Sequence, residues 1–171
     1  MPNVDHDLIR LQQSPECLTF AVFGRGTMRQ CPALNHRARQ ALESGQAVRV
    51  ELCACSYLDS TFMGTLLGIS RAAKESRSHE FTLVAPSPEC KALIEQMGLD
   101  RLIPIATPGE ERDDPWEELP VSDPADATPA MIQETVVRAH ENLAQAPGPA
   151  AQPFKAIAAK LAAAWNKQKT Q

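Results

Sequence analysis

Short apolar runs with strand character alternate along the first hundred residues with stretches whose apolar positions recur at helical spacing. That alternation restricts the fold more than any other feature. Cys17-Leu18-Thr19-Phe20-Ala21-Val22-Phe23 predicts a strand broken by Gly24 to Gly26. Leu34, Ala38, Ala41 and Leu42 then form one face of a helix that Ser44-Gly45 ends. Ala47 to Cys53 predicts a second strand. A helix starting near Asp59-Ser60 follows, running through Leu66, Leu67, Ile69 and Ala73. Phe81 to Ala85 is a short strand stopped by Pro86. Ser87 and Pro88 supply an N-cap and first-turn proline for a third helix, which carries Cys90, Leu93, Ile94 and Met97 and ends at Gly98. Leu102 to Ile105 predicts a last strand. The order implies a small open α/β domain, a mixed β-sheet packed against helices, with a helical extension after it.

A hydrophobic fraction of 43% in 171 residues is enough for a core and argues against wholesale disorder. With 17 Lys and Arg against 21 Asp and Glu, the formal charge is -4, so nucleic acid and anionic membrane are not expected partners. The charge is unevenly placed. Residues 1–108 are net neutral, residues 109–126 carry 8 acidic and 1 basic side chain, and residues 127–171 carry 2 acidic and 5 basic. Nine of the 14 prolines fall from Pro104 onward. The expected organisation is a domain over 1–108, an acidic proline-containing linker over 109–127, and two amphipathic helices over 128–171. Five cysteines, an odd number, favour reduced thiols and a cytoplasmic setting. No apolar run reaches the roughly eighteen residues of a membrane span, and the polar start does not read as a signal peptide.

In the extension, Thr128-Pro129 caps a stripe of Met131, Ile132, Thr135, Val136, Ala139 and Leu143, and Pro147-Gly148-Pro149 stops it. Phe154, Ile157, Ala158, Leu161 and Trp165 form a second stripe, with Lys155, Lys160 and Lys167 off that face. Each stripe needs a cover: the domain itself, a second subunit or a partner.

The most informative segment runs from Glu51 to Gly68. There a strand ends, a loop follows, and Asp59-Ser60 meets the start of an apolar helix. On local pattern, Asp59 or Ser60 caps the helix and satisfies amides that lack internal partners. The same geometry suits a switch. A hydroxyl in the first turn lies at the positive end of the helix dipole, where a phosphate of about two negative charges is tolerated.

Taken together, these residues resemble a STAS domain, the fold of anti-sigma factor antagonists and of related modules in the stressosome and sulfate transporters. Glu51-Leu52-Cys53 stands for the family's aspartate-leucine-serine strand end, Tyr57-Leu58 for its apolar pair and Asp59-Ser60-Thr61 for its aspartate-serine-serine or -threonine triplet. Gly64, Leu66, Leu67 and Gly68, the Phe81 to Val84 strand, Pro86-Ser87-Pro88 and Met97 to Leu102 match in order and spacing. The likeness covers roughly residues 8–106. It implies a non-enzymatic protein-interaction module with no catalytic residues, cofactor or metal. By the resemblance, Ser60 is the phosphoacceptor, Thr61 is the second choice and Asp59 is the supporting carboxylate. The implied partners are an anti-sigma factor that is also a serine kinase, and a serine phosphatase. The alternative is a constitutive scaffold or assembly subunit without phosphorylation at Ser60. Self-association through the C-terminal helices is a further expectation.

Two departures from the family pattern bear on the interface. Phe62 replaces the usual glycine after the triplet; exposed, it is a binding anchor beside Met63, and turned inward it packs. Gly24-Arg25-Gly26-Thr27-Met28 replaces an aspartate-containing turn, which makes Arg25 and Thr27 candidate partner contacts on a more basic entry surface. Cys53 and Cys55 are expected on one face of an extended strand, as packing residues without a second ligand pair for zinc. His6, His36, His79 and His140 are scattered and support no Ser-His-Asp arrangement. Arg37, Arg39, Arg71, Lys74 and Arg77 read as solvated helix faces. Trp116 in the acidic stretch is a candidate for docking onto the domain or a partner.

Overall fold

The computed structural model describes residues 7–76, 80–110, 112–120 and 128–170. His6, Arg77, His79 and Glu111 therefore lie outside the described residues.

Strands β1 (Leu8–Gln13) and β2 (Cys17–Gly26) form an antiparallel hairpin in which Leu8 faces Phe23 and Gln13 faces Leu18. Helix α1 (Cys31–Glu43) returns the chain to β3 (Ala47–Glu51), which pairs in parallel with β2. After the short β4 (Cys55–Leu58), α2 (Ser60–Glu75) leads to β5 (Phe81–Val84) beside β3. Helix α3 (Pro88–Gln96) and a 3-10 turn at Leu99–Arg101 precede β6 (Ile105–Ala106) on one edge. On the other edge, β7 (Glu117–Glu118) pairs antiparallel with β1. The order is β6-β5-β3-β2-β1-β7, a mixed sheet as the alternation predicts.

Period-two patterning orients the strands. Val48 and Val50 of β3, Phe20 and Val22 of β2 and Leu83 of β5 enter the core, where they meet Leu34, Ala38 and Leu42 of α1 and Leu66 and Ile69 of α2. The opposite face carries Gln12, Thr19, Arg49, Glu51 and Thr82. With residues 106–110, Arg112 and Trp116 these line an open groove of about 670 Å³. The acidic segment is fastened there. The Gln12 Nε2 donates to the carbonyls of Arg112 and Asp114 at 3.1 and 2.6 Å, and Leu119 is buried after bonding the Ile9 carbonyl.

Several local boundaries differ from the sequence expectation. β1 is an additional strand, and β2 continues through Gly24 to Gly26 instead of breaking there. It continues because its register shifts between Gly24 and Arg25, and the end of the strand turns away to pair in parallel with β4. The second strand accordingly divides in two: β3 stops at Glu51, and Cys53-Ala54 turn before β4. Cys53 is exposed and Cys55 buried, so the two thiols do not share a face. The last strand sits at Ile105–Ala106, after the 3-10 turn has used Leu102 as its cap.

Helix α2 is covered on both sides, and every residue from Thr61 to Ser70 is buried. One side meets the sheet and α1. The other meets α4 (Pro129–Ala144), which Thr128 caps through the Met131 amide at 3.3 Å. Helix α5 (Gln152–Lys169) folds back on α4. The buried face of α4 comprises Val137, Ala139, His140 and Leu143, and Met131 at the start of the expected stripe is exposed. The rotation follows from close approach at Gly64, where a Cβ would lie 2.8 Å from the Ala139 Cα and collide with its carbonyl. A small residue must therefore face α2. On α5 only Ala158 is fully buried. Phe154 packs against the core, Ile157 is exposed, and Lys169 lies 5.0 Å from the Trp165 ring.

Phe62 turns inward. A Cβ on Gly26 would lie 2.7 Å from Leu58 and 3.1 Å from the Phe62 ring, so the ring occupies the space that glycine leaves open. Phe62→Ala is expected to lower the unfolding free energy by about 3–5 kcal/mol through lost transfer and a residual cavity. The exposed Tyr57→Ala should shift it by no more than about 0.5 kcal/mol. Urea unfolding of both variants measures the contrast.

Candidate functional site

The junction of β4 and α2 is built around Asp59. Its backbone is extended (φ -80, ψ 168), which places the side chain over the open end of the helix. Oδ1 accepts from the Phe62 amide at 2.7 Å, and Oδ2 accepts from the Met28 amide at 2.8 Å. The Asp59 amide in turn donates to the Gly26 carbonyl at 3.0 Å. One carboxylate thus ties the first turn of α2 to the loop that leaves β2. That loop is also held from within: Thr27 N–H donates to the Gln30 Oε1 at 2.9 Å, and the Cys31 thiol donates to the Thr27 carbonyl at 3.4 Å.

Ser60 is the first helical residue and is half-buried. Its Oγ lies 3.2 Å from Nε2 of His140 on α4. The other ring nitrogen of His140 lies 2.8 Å from the Val136 carbonyl, which can only accept. Nδ1 therefore carries the hydrogen, and in the neutral ring Nε2 accepts from the Ser60 hydroxyl. Thr61 is buried, so its hydroxyl is less accessible than that of half-buried Ser60.

The partner contacts expected from sequence separate into two groups. Phe62 is fully buried and Met63 nearly so, so of the two orientations open to Phe62 the inward one holds and neither side chain is an exposed partner contact; Phe62 packs at Gly26 and both enter the core. Arg25 is exposed. It pairs with Asp7 through Nε at 3.1 Å and Nη2 at 3.0 Å, and these hydrogen bonds and the carboxylate charge push its guanidinium further up from its ordinary value. Thr27 is half-buried in the loop. Sequence reasoning missed Met28 and Tyr57, which are 44% and 47% exposed. Tyr57 sits opposite Arg25 in the β2–β4 pairing, and Met28 is fixed by Asp59. The split of the second strand hid the first, and the carboxylate clamp hid the second. His140 was also missed, because nothing in the chain marks a residue eighty positions away as a neighbour of Ser60.

The arrangement suits recognition better than chemistry. The His140 ring is oriented by a helix carbonyl and faces a seam between two helices. Among the described residues no group of three or more His, Cys, Asp and Glu side chains could hold a metal ion. No helix of the described residues is long and apolar enough to cross a membrane. The cysteines are packing residues apart from Cys53. Burial pushes the Cys31 thiol up to about 12. A hydrogen bond with Cys90, then burial, pushes Cys55 up. The same hydrogen bond pulls Cys90 down to about 7, but Cys90 has no exposed surface.

Asp59→Ala should cost about 1–2 kcal/mol in urea unfolding, the scale of a lost N-cap. Asp59→Asn, with one acceptor oxygen in place of two, should keep either the Phe62 or the Met28 amide protected from hydrogen exchange, and not both. Thiol titration with an aromatic disulfide at pH 8 should modify one cysteine, Cys53, rapidly in the folded protein and the other four only on unfolding.

The family model described as Mlab, STAS domain matches residues 9–104. Among solved structures, the chain is similar to the anti-sigma factor antagonist SpoIIAA in its unphosphorylated form, at 20% identity and a TM-score of 0.50, covering 60% of this chain and 89% of the other. It is also similar to an anti-sigma factor antagonist from Mycobacterium paratuberculosis, at 22% identity and a TM-score of 0.51, covering 62% of this chain and 88% of that one. No curated protein matches the sequence. The matched span, together with the strand order and the capped α2, makes this chain a member of the STAS-domain family, a non-catalytic protein-interaction module with a C-terminal helical extension.

Proposed function

We propose that the chain is a phospho-switchable module of a bacterial partner-switching pathway. In this reading it acts in the cytoplasm, binds an anti-sigma factor that is also a serine kinase, and is reset by a serine phosphatase. Ser60 is the phosphoacceptor and Asp59 its supporting group. The observation that carries the reading is the Asp59 clamp, which fixes Ser60 at the start of α2 beside a loop held in register by the same carboxylate. The two solved antagonists that share the fold supply the class of partner.

The physics of the switch is local. A phosphate on Ser60 would gain from the α2 dipole in the free protein. In a closed interface the same group would add about two negative charges next to Asp59 and would have to be desolvated there. Free protein is therefore favoured over complex when Ser60 is modified. Arg25, Met28 and Tyr57 offer a charged, an apolar and an aromatic contact around that point.

A second reading, a constitutive scaffold, is favoured by the Ser60–His140 hydrogen bond, which already engages the hydroxyl within the chain. Self-association through the extension would fall to α5, because the buried face of α4 is spent on α2 and α5.

Peptide mass spectrometry of the protein purified from its source cells decides between them. A substoichiometric phosphate on Ser60 that varies with growth condition is the expected result, together with a kinase captured by Ser60→Ala and at least tenfold less by Ser60→Asp. Complete coverage of Ser60 and Thr61 without phosphate under growth and stress would leave the scaffold.

A further inference from the structure

Helix α4 lies against the helix that presents Ser60, and the seam between them is built for close approach. Two glycines of α2 face it. A Cβ on Gly64 would run into the backbone of Ala139, and one on Gly68 would lie 2.6 Å from Asn142 Nδ2. This side of α2 is contoured to take another helix at backbone distance. The bonds across it are largely polar: Ser60 to His140 at 3.2 Å, Asn142 Nδ2 to the Gly64 carbonyl at 3.2 Å, and Arg71 Nη1 to Asn142 Oδ1 at 3.2 Å. The large apolar side chains that α4 fully buries are Val137 and Leu143. Such a seam is specific in shape, yet most of its hydrogen-bonding groups can be satisfied by water once it opens.

Ser60 sits at one end of this seam. Its hydroxyl touches a buried imidazole, which Phe154 of α5 backs at a ring separation of 6.0 Å. With the hydroxyl turned toward His140, a phosphorus atom and three oxygens do not fit the 3.2 Å contact, so a phosphate requires the hydroxyl to turn away or the ring to move.

We infer that the α4–α5 hairpin is an autoinhibitory element: it occupies the α2 face and shields Ser60, so that modification of Ser60 and docking of residues 128–170 exclude one another. The inference rests on Ser60 being the regulated position. It adds that access to that position is controlled by the chain's own extension. A kinase reaching Ser60 must displace α4, and the phosphate it installs keeps α4 displaced while its charge beside Asp59 still disfavours a closed complex.

The test uses the full chain. Ser60→Cys is labelled with a maleimide alone and in combination with Ala139→Arg, which puts a long charged side chain at a buried position where α4 comes closest to α2. Exposed Cys53 serves as the internal reference in both. Labelling at position 60, relative to Cys53, should rise at least tenfold in the double variant. Hydrogen exchange provides the second measurement: Ser60→Glu should speed exchange across 129–144 at least tenfold and leave β2, β3 and β5 unchanged. Equal labelling rates, or unchanged exchange in 129–144, would overturn the inference. So would loss of protection in the strands of either variant, because α4 would then be part of the core and not a removable element. A native protein without phosphate on Ser60 would end the phospho-switch reading while leaving these labelling and exchange results intact, so the two failures are separable.

Discussion

The two oxygens of Asp59 fasten the loop after β2 to the start of α2, where the β2–β4 pairing already brings the two together. An N-cap ordinarily satisfies amides of its own helix. Here one oxygen does so at Phe62 while the other reaches the Met28 amide, thirty-one residues earlier. Loop and helix start are therefore positioned by one rigid, charged acceptor, and charge-assisted bonds to backbone amides are among the stronger ones available. The rest of the site follows. Phe62 can pack on Gly26 because the loop is drawn in, and Ser60 is left at the first position of the helix.

Helix α2 is shared between two layers, and that sharing sets its composition. From Ser60 to Ser70 it contains no charged residue, in keeping with a helix covered on both sides. The inner side is filled by Leu66 and Ile69 against the sheet. The outer side is flattened by Gly64 and Gly68, at the expense of some intrinsic helix propensity, so that α4 can lie close. The position that would bear a regulatory charge thus adjoins both a capped, rigid junction and a seam rich in polar contacts.

Much of this architecture is legible in the chain. The caps are written locally: Asp59, Ser87 and Thr128 each bond an amide three residues on, as their place before an apolar-periodic stretch predicts. The strands that alternate cleanly, such as Ala47–Glu51, are legible for the same reason. β1 and β4 are less so, because their stability comes from pairing with β2 and their own patterns are weak. Phe62 shows the limit most plainly. Its residue type permits an anchor or a core ring, and only the vacancy above Gly26 selects the core.

The sequence by itself determined the alternation of strands and helices, the capped start of α2 and the presence of two amphipathic helices after an acidic stretch, because each depends on residues within one or two turns of one another. Tertiary structure alone decided which face of α4 is buried, that Met28 and Tyr57 flank Ser60, and that His140 bonds its hydroxyl. Those outcomes depend on how closely two backbones approach and on which distant segments share a surface. The missing Cβ atoms of Gly26 and Gly64 allow that approach, and the choice of Phe62 and Ala139 as the groups that meet them is made only when the elements pack.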